Sequence, residues 1–84
     1  MKNRLIYNQV SNLKKLLLVD GFIIDGIFGS YARGEETAQS DVDILYHLNP
    51  IFYKKYSGFT GFQKLDEIKK TISKSLNKKI DLAP

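Results

Sequence analysis

The sequence predicts a single small α/β (α+β) domain spanning residues 1–84. Three observations carry that reading. A chain of 84 residues fits one domain and leaves no room for a two-domain enzyme with an interdomain cleft. Two stretches place apolar residues at helical spacing, at 4–19 and 61–76. Short β-favouring runs lie between and after them, at 22–28, 41–46 and 79–82.

Residues 4–19 read as an amphipathic helix. Ile6, Val10, Leu13 and Leu17 form its apolar stripe, and Leu16 is expected to widen it. Lys14 and Lys15 fall on the wet side. Asp20-Gly21 ends the helix, because glycine tolerates the left-handed position past a helix C-terminus. Residues 22–28 read as a strand. Phe22, Ile23, Ile24, Ile27 and Phe28 are nearly continuous, the pattern of a strand covered on both faces, with Asp25-Gly26 interrupting its register. Gly29-Ser30 closes it, Tyr31 to Arg33 can form one helical turn, and Gly34 to Ser40 is a polar loop. In 41–46 the period is two: Asp41, Asp43 and Leu45 share one face, and Val42, Ile44 and Tyr46 the other.

Asn49-Pro50 breaks that strand, and residues 51–61 read as an irregular aromatic connection with one short helical turn. The group Tyr46, Phe52, Tyr53, Tyr56 and Phe59 suits a core or a partner surface better than a base-stacking platform. In 61–76 the expected buried stripe is Phe62, Leu65, Ile68, Ile72 and Leu76, with Thr60 as N-cap and Asn77 at the end. Lys79 to Leu82 reads as a third short strand carrying Asp81.

Composition narrows the class. With no cysteine, disulfides, thiolate zinc sites and cysteine nucleophiles are excluded, and a reducing cytoplasm suits the chain. The apolar runs 16–19 and 22–24 are far too short to span a bilayer, and polar residues interrupt any signal-peptide core after Lys2 and Arg4. A net charge of +4 suits polyanionic partners or simple solubility. A domain this small buries only about 60% of its unfolded surface. It calls for a partner or a hard-metal site as supplement.

Two carboxylates at i and i+2 of a strand project from one face, about 6.5–7 Å apart. Asp41 and Asp43 stand so, and like charges this close repel. A divalent cation compensates them, and oxygen-only ligands select magnesium, or manganese, over zinc. The plainer reading of Asp-x-Asp is two solvent-facing aspartates on an edge strand. Gly29-Ser30, with ten residues between it and Asp41, adds a phosphate cradle: glycine allows close approach to the backbone, and serine offers a hydroxyl and an N–H at a helix start.

The stretch Phe28 to Leu45, FGSYARGEETAQSDVDIL, resembles the signature of the minimal nucleotidyltransferases (MNT-type domains) of the DNA polymerase β superfamily. The match includes Phe28-Gly29-Ser30, Ala32-Arg33-Gly34, Ser40-Asp41 and Asp43, and Lys79-Ile80-Asp81-Leu82 resembles the family's third carboxylate strand. The resemblance implies a small mixed β-sheet flanked by helices, the polymerase β palm-like nucleotidyltransferase fold. It implies that Asp41 and Asp43 hold magnesium on the triphosphate of ATP, that Gly29 and Ser30 hold phosphates, and that Asp81 completes the metal site and helps activate an acceptor hydroxyl. The resemblance also implies that Ser40 belongs with Gly29, Ser30 and Arg33 in the nucleotide site, although Arg33 can equally pair with Glu35 or Glu36. Lys79 reads as solvated, and His47, the single histidine, lacks a second histidine to work with. Relatives commonly continue with a further helix; this chain runs three residues past Asp81, to Pro84, which predicts an exposed apolar face that wants a partner.

Small MNT domains resemble the antitoxin member of HEPN–MNT toxin–antitoxin pairs. That implies transfer of AMP from ATP to a tyrosine hydroxyl of a HEPN-type ribonuclease toxin. The alternative is a non-catalytic module of the same fold that masks its partner by contact, its metal site vestigial; a homo- or hetero-oligomer is compatible with either reading. Modification of a small molecule is the weaker third reading, since no residues remain to build an acceptor domain. A template-directed polymerase is excluded on the same ground.

Overall fold

The computed structural model describes residues 4–37 and 39–84. Helix α1, Arg4–Leu17, buries Ile6, Val10, Leu13 and Leu17. Leu16 is exposed instead of widening that stripe, because it stands about 100° round the helix from Leu17. A 3-10 turn, Leu18–Asp20, follows, and Gly21 turns the chain at φ 77°, its N–H bonding to the Leu18 carbonyl.

Three strands make one sheet in the order β1-β2-β3. Strand β1, Phe22–Phe28, runs antiparallel to β2, Val42–Leu48. Strand β3, Ile80–Ala83, runs parallel to β2. The one-turn helix α2, Ser30–Arg33, and a polar loop join β1 to β2. Helices α3, Pro50–Lys55, and α4, Phe59–Leu76, form the crossover that a parallel pairing requires. The mixed α+β architecture expected for a minimal nucleotidyltransferase is the one observed.

Helices α1 and α4 pack on each other and on one face of the sheet. That face receives Phe22 and Ile24 from β1, Val42 and Ile44 from β2 and Ile80 from β3, against Ile68, Ile72 and Leu76 of α4. The Phe22 ring stacks on Tyr46 at 4.8 Å. The opposite face has no such cover. Strand alternation puts Asp43, Leu45 and His47 there, and Leu45 and Phe28 are exposed. Strand β1 is therefore covered on one face, not on two. Its near-continuous apolar run comes from a bulge: Ile24 faces Tyr46 and Gly26 faces Leu45, so Asp25 is an extra residue that shifts the alternation. Ile24 and Ile27 both reach the core side, three positions apart.

Residues 50–55 are a six-residue helix, longer than the one short turn expected within an irregular connection. Asn49-Pro50 ends β2 and starts α3 together: the Asn49 side chain accepts from the Ile51 N–H at 2.9 Å, and proline occupies the first helical turn. Helix α4 begins at Phe59 with Gly58 as N-cap, so Thr60 lies inside it. Phe62 is 74% exposed, and Gly61 takes its place on the buried stripe. The reason is local packing: Gly61 sits against the Tyr56 carbonyl and the Phe52 ring, where a larger residue has no room. The helix ends at Asn77 in the left-handed conformation, φ 54°.

Asp20 ties the end of α1 to the crossover. It accepts from the Tyr56 hydroxyl at 2.7 Å, with Lys64 at 3.6 Å and Lys55 at 3.7 Å. The Tyr56 hydrogen bond and then the two lysine charges hold its carboxyl below the usual range, against the opposing effect of burial. Among the described residues no helix is long and apolar enough to cross a membrane.

Ile72 has no exposed surface and Phe62 is mostly exposed, so their truncations separate sharply. Ile72→Ala should cost about 3 kcal/mol in urea unfolding, a large share of the roughly 4–13 kcal/mol available to a domain of this size. Phe62→Ala should change stability by less than about 0.5 kcal/mol. Comparable losses in the two would mean that Phe62, and not Gly61, faces the core.

Candidate functional site

The carboxylates gather where β1 ends and β2 and β3 begin. In the parallel register Asp43 is the partner of Asp81, and in the antiparallel register it is the partner of Phe28. Neighbouring strands lie about 4.8 Å apart, so Asp43 and Asp81 stand side by side on the uncovered face. Asp41 precedes β2 by one residue and is partly buried. The Val42 N–H bonds to the Lys79 carbonyl at 2.9 Å, which locks the two strand starts together.

Burial pushes the Asp43 carboxyl above its usual range. The negative charges of Asp81 and Asp41 and a side-chain hydrogen bond with Asp81 add to that, and the Arg33 cation opposes them. Two carboxyls hydrogen-bond to each other only by sharing a proton, so this pair is short of positive charge.

Gly29 lies directly against Asp43. Its backbone, φ 76° and ψ −145°, falls in a region that is essentially glycine's alone. A Cβ built there would collide with the Asp43 carboxylate. The Gly29 carbonyl accepts from the Arg33 N–H at 3.1 Å, and the Ser30 carbonyl accepts from the Glu35 N–H at 2.8 Å. These bonds wind Ser30–Arg33 into the single turn of α2, with Ser30 next to the Gly29–Asp43 contact.

The remaining residues expected at a nucleotide site are engaged with neighbours. Arg33 Nε donates to Glu35 at 2.7 Å, with both side chains exposed, while its charge still acts on Asp43. The Ser40 hydroxyl accepts from the Thr37 N–H at 2.8 Å and so braces the loop that delivers Asp41. Farther up β2, His47 Nδ1 lies 2.9 Å from both Asp25 carboxylate oxygens. Nothing in the sequence signals that pair except the Asp25-Gly26 interruption that marks the bulge. Four residues of strand, about 13 Å, separate His47 from Asp43, so the pair lies outside the carboxylate site.

Among the described residues, no three His, Cys, Asp or Glu side chains form a ready-made metal cage. Magnesium does not need one, since it typically takes one or two carboxylates and completes its shell with water and substrate phosphates. Two adjoining carboxylates short of positive charge, beside a glycine kept free of a side chain, fit that use.

A family model described as a nucleotidyltransferase domain matches residues 11–84, from within α1 to the end of the chain. This chain belongs to the nucleotidyltransferase domain family. It is 33% identical over 84 residues to a Methanocaldococcus jannaschii protein named "Putative protein adenylyltransferase MJ1379", covering 98% of this chain and 78% of that one. No solved structure matches it significantly.

Two substitutions test how this nucleotidyltransferase domain builds its site. Gly29→Ala should lose about 1–3 kcal/mol of stability from the strained backbone and weaken binding of ATP with magnesium at least about tenfold, read by melting and calorimetry. Wild-type binding in that variant would remove Gly29 from the site. Asp43→Asn should depend on pH. A carboxyl raised in the folded state contributes stability that is complete below its ordinary value of 3.8 and lost as pH rises through the raised value. The asparagine escapes that loss, so without metal its Tm should exceed the wild type's at pH 7 and match it near pH 3.

Proposed function

We propose that this nucleotidyltransferase domain transfers AMP from ATP to a hydroxyl of a partner protein, and that the partner is a HEPN-type ribonuclease toxin silenced by the modification. The observation that carries the reading is the pairing of Asp43 with Asp81 beside Gly29, on a sheet face left open to a nucleotide and an acceptor. The relative's name, with its protein acceptor, supports the choice of a polypeptide over a small molecule.

In this reading Gly29 and Ser30 receive the terminal phosphates of ATP, with Arg33 close enough to add its charge. Asp41, Asp43 and Asp81 would hold magnesium, or manganese, which would supply charge neutralisation at the transferring phosphate. The acceptor oxygen forms its bond to the α-phosphorus in line as the bond to the pyrophosphate oxygen breaks, and pyrophosphate carries that electron pair away. In this reading Asp81, on the edge strand β3, also helps to activate the acceptor by taking its hydroxyl proton.

The test is transfer of labelled AMP from ATP to a purified HEPN-type ribonuclease. Wild-type protein with magnesium should label it, and chelation should stop labelling. Asp43→Asn should lower the rate at least about a hundredfold, the scale on which removal of one charge-stabilising group acts. Undiminished transfer by Asp43→Asn would overturn the catalytic assignment.

A further inference from the structure

The carboxylates are not the only polar groups on the uncovered face of the sheet. His47 stands there too, its Nδ1 2.9 Å from both carboxylate oxygens of Asp25, the extra residue of the β1 bulge. A carboxylate offers only lone pairs, so the shared proton sits on Nδ1. In the neutral ring Nε2 is then a hydrogen-bond acceptor, and among the described residues it has no partner. The His47 side chain is 57% exposed, so that acceptor is open to a ligand.

Between His47 and Asp43 lie about 13 Å of strand, and this stretch is apolar. Leu45, midway, is exposed, as is Phe28 beside it on β1. Gly26 is in register with Leu45 and adds no side chain. A Cβ placed on Gly26 would meet nothing within 4 Å. The bulge makes this arrangement: it sets Asp25 against His47 and brings Gly26 opposite Leu45.

The order of groups along the sheet fits one occupant. In the reading proposed above, on which this inference rests, Gly29 and Ser30 receive the terminal phosphates of ATP beyond the end of β1. The acceptor enters at the edge strand β3, beside Asp81. The face of β1 and β2 is what remains for the nucleoside. It offers an apolar floor for the flat side of a base, and past that floor a single bare acceptor for its edge. Adenine carries an amino group there, a donor, whereas guanine carries an oxygen, a second acceptor that Nε2 would repel.

We infer that the face between Asp43 and His47 receives the adenosine of ATP, with His47 Nε2 accepting from the adenine 6-amino group. Asp25 is the positioning residue that fixes the tautomer of the ring.

The test is calorimetric binding of ATP and of ITP, whose base has an oxygen in place of the 6-amino group. It is run with magnesium at about pH 8.5, above the range in which histidine titrates. Wild-type protein should bind ATP at least about tenfold more tightly than ITP, because a buried acceptor facing an acceptor is left unpaired. His47→Ala should lower the affinity for ATP to that for ITP and leave the latter unchanged. Asp25→Asn should shrink the preference, because an amide can donate to Nδ1 as well as accept from it and so lets the proton move to Nε2. Gly26→Val should weaken both nucleotides alike, at least about tenfold, by filling the floor. It should keep the wild-type Tm, since Gly26 has no positive φ and its new side chain enters open space. Equal binding of ATP and ITP by the wild type, a preference kept by His47→Ala, or undiminished binding by Gly26→Val would overturn the inference and leave the carboxylate reading standing. Binding of neither nucleotide would overturn both.

Discussion

Strand β2 is bonded on both edges, and its two-residue alternation ties the hydrophobic core to the carboxylates. Val42 and Ile44 point into the core and have no exposed surface. Asp43, between them, must then point to the uncovered face. A slip of one residue would exchange the two sets, bury the aspartate and expose both aliphatic side chains. Burying each such side chain is worth about 1.5–3 kcal/mol. The register that places Asp43 is thus enforced by residues that take no part in any chemistry. The bulge at Asp25 does the corresponding service in β1: by shifting the alternation it puts Ile27 on the core side and Phe28 opposite Asp43.

What could be read from the sequence was what is encoded locally. The alternation in 41–46, the stripe of α1, the glycine after β1 and the asparagine that ends α4 each depend on a few neighbouring residues, and each is where the pattern puts it. Two of the misreadings share one cause. Where apolar residues stand next to each other, as at Leu16-Leu17 or Gly61-Phe62, periodicity cannot choose between them, and packing against another element does. Phe62 lost its place because Gly61 lies against Tyr56 and Phe52 of the neighbouring segment. Helix α3 is too short for periodicity to mark, and its Asn-Pro start doubles as a strand terminator. At the site, the Asp41-x-Asp43 spacing is local and legible. The partnership of Asp43 with Asp81 is a register across the whole crossover, which only the family resemblance could suggest.

Charge is unevenly spread over this small body. The chain carries +4 overall, yet Asp41, Asp43 and Asp81 act on one another at one end of the sheet. The nearby cation Arg33 is shared with Glu35. Meanwhile Lys14, Lys15, Lys64, Lys69, Lys70 and Lys74 ride on α1 and α4, the helices that cover the other face. For the polyanionic substrate proposed above, this separates attraction from grip. The net positive charge favours approach over roughly a Debye length of 8–10 Å. The local carboxylates repel the triphosphate unless a cation intervenes. Binding then becomes conditional on the metal, and the repulsion within the triad is what enforces the condition.

The one-sided sheet follows from the same logic. A helix laid across that face would bury Asp43 and Asp81 with nothing to neutralise them, and in the proposed reaction it would also shut out the nucleotide and the acceptor. The fold places its covering helices behind the sheet and accepts exposed Leu45 and Phe28 in front. Its free edges are poor sites for strand addition: β3 has only four residues and β1 is bulged. Large apolar side chains are left in water away from that face too: Leu5, Leu16 and Val19 on α1 and the turn that follows it, and Ile51, Tyr53, Phe59 and Phe62 on the crossover helices. The price of a one-sided sheet in so small a domain is that its helices cannot bury every apolar residue they carry.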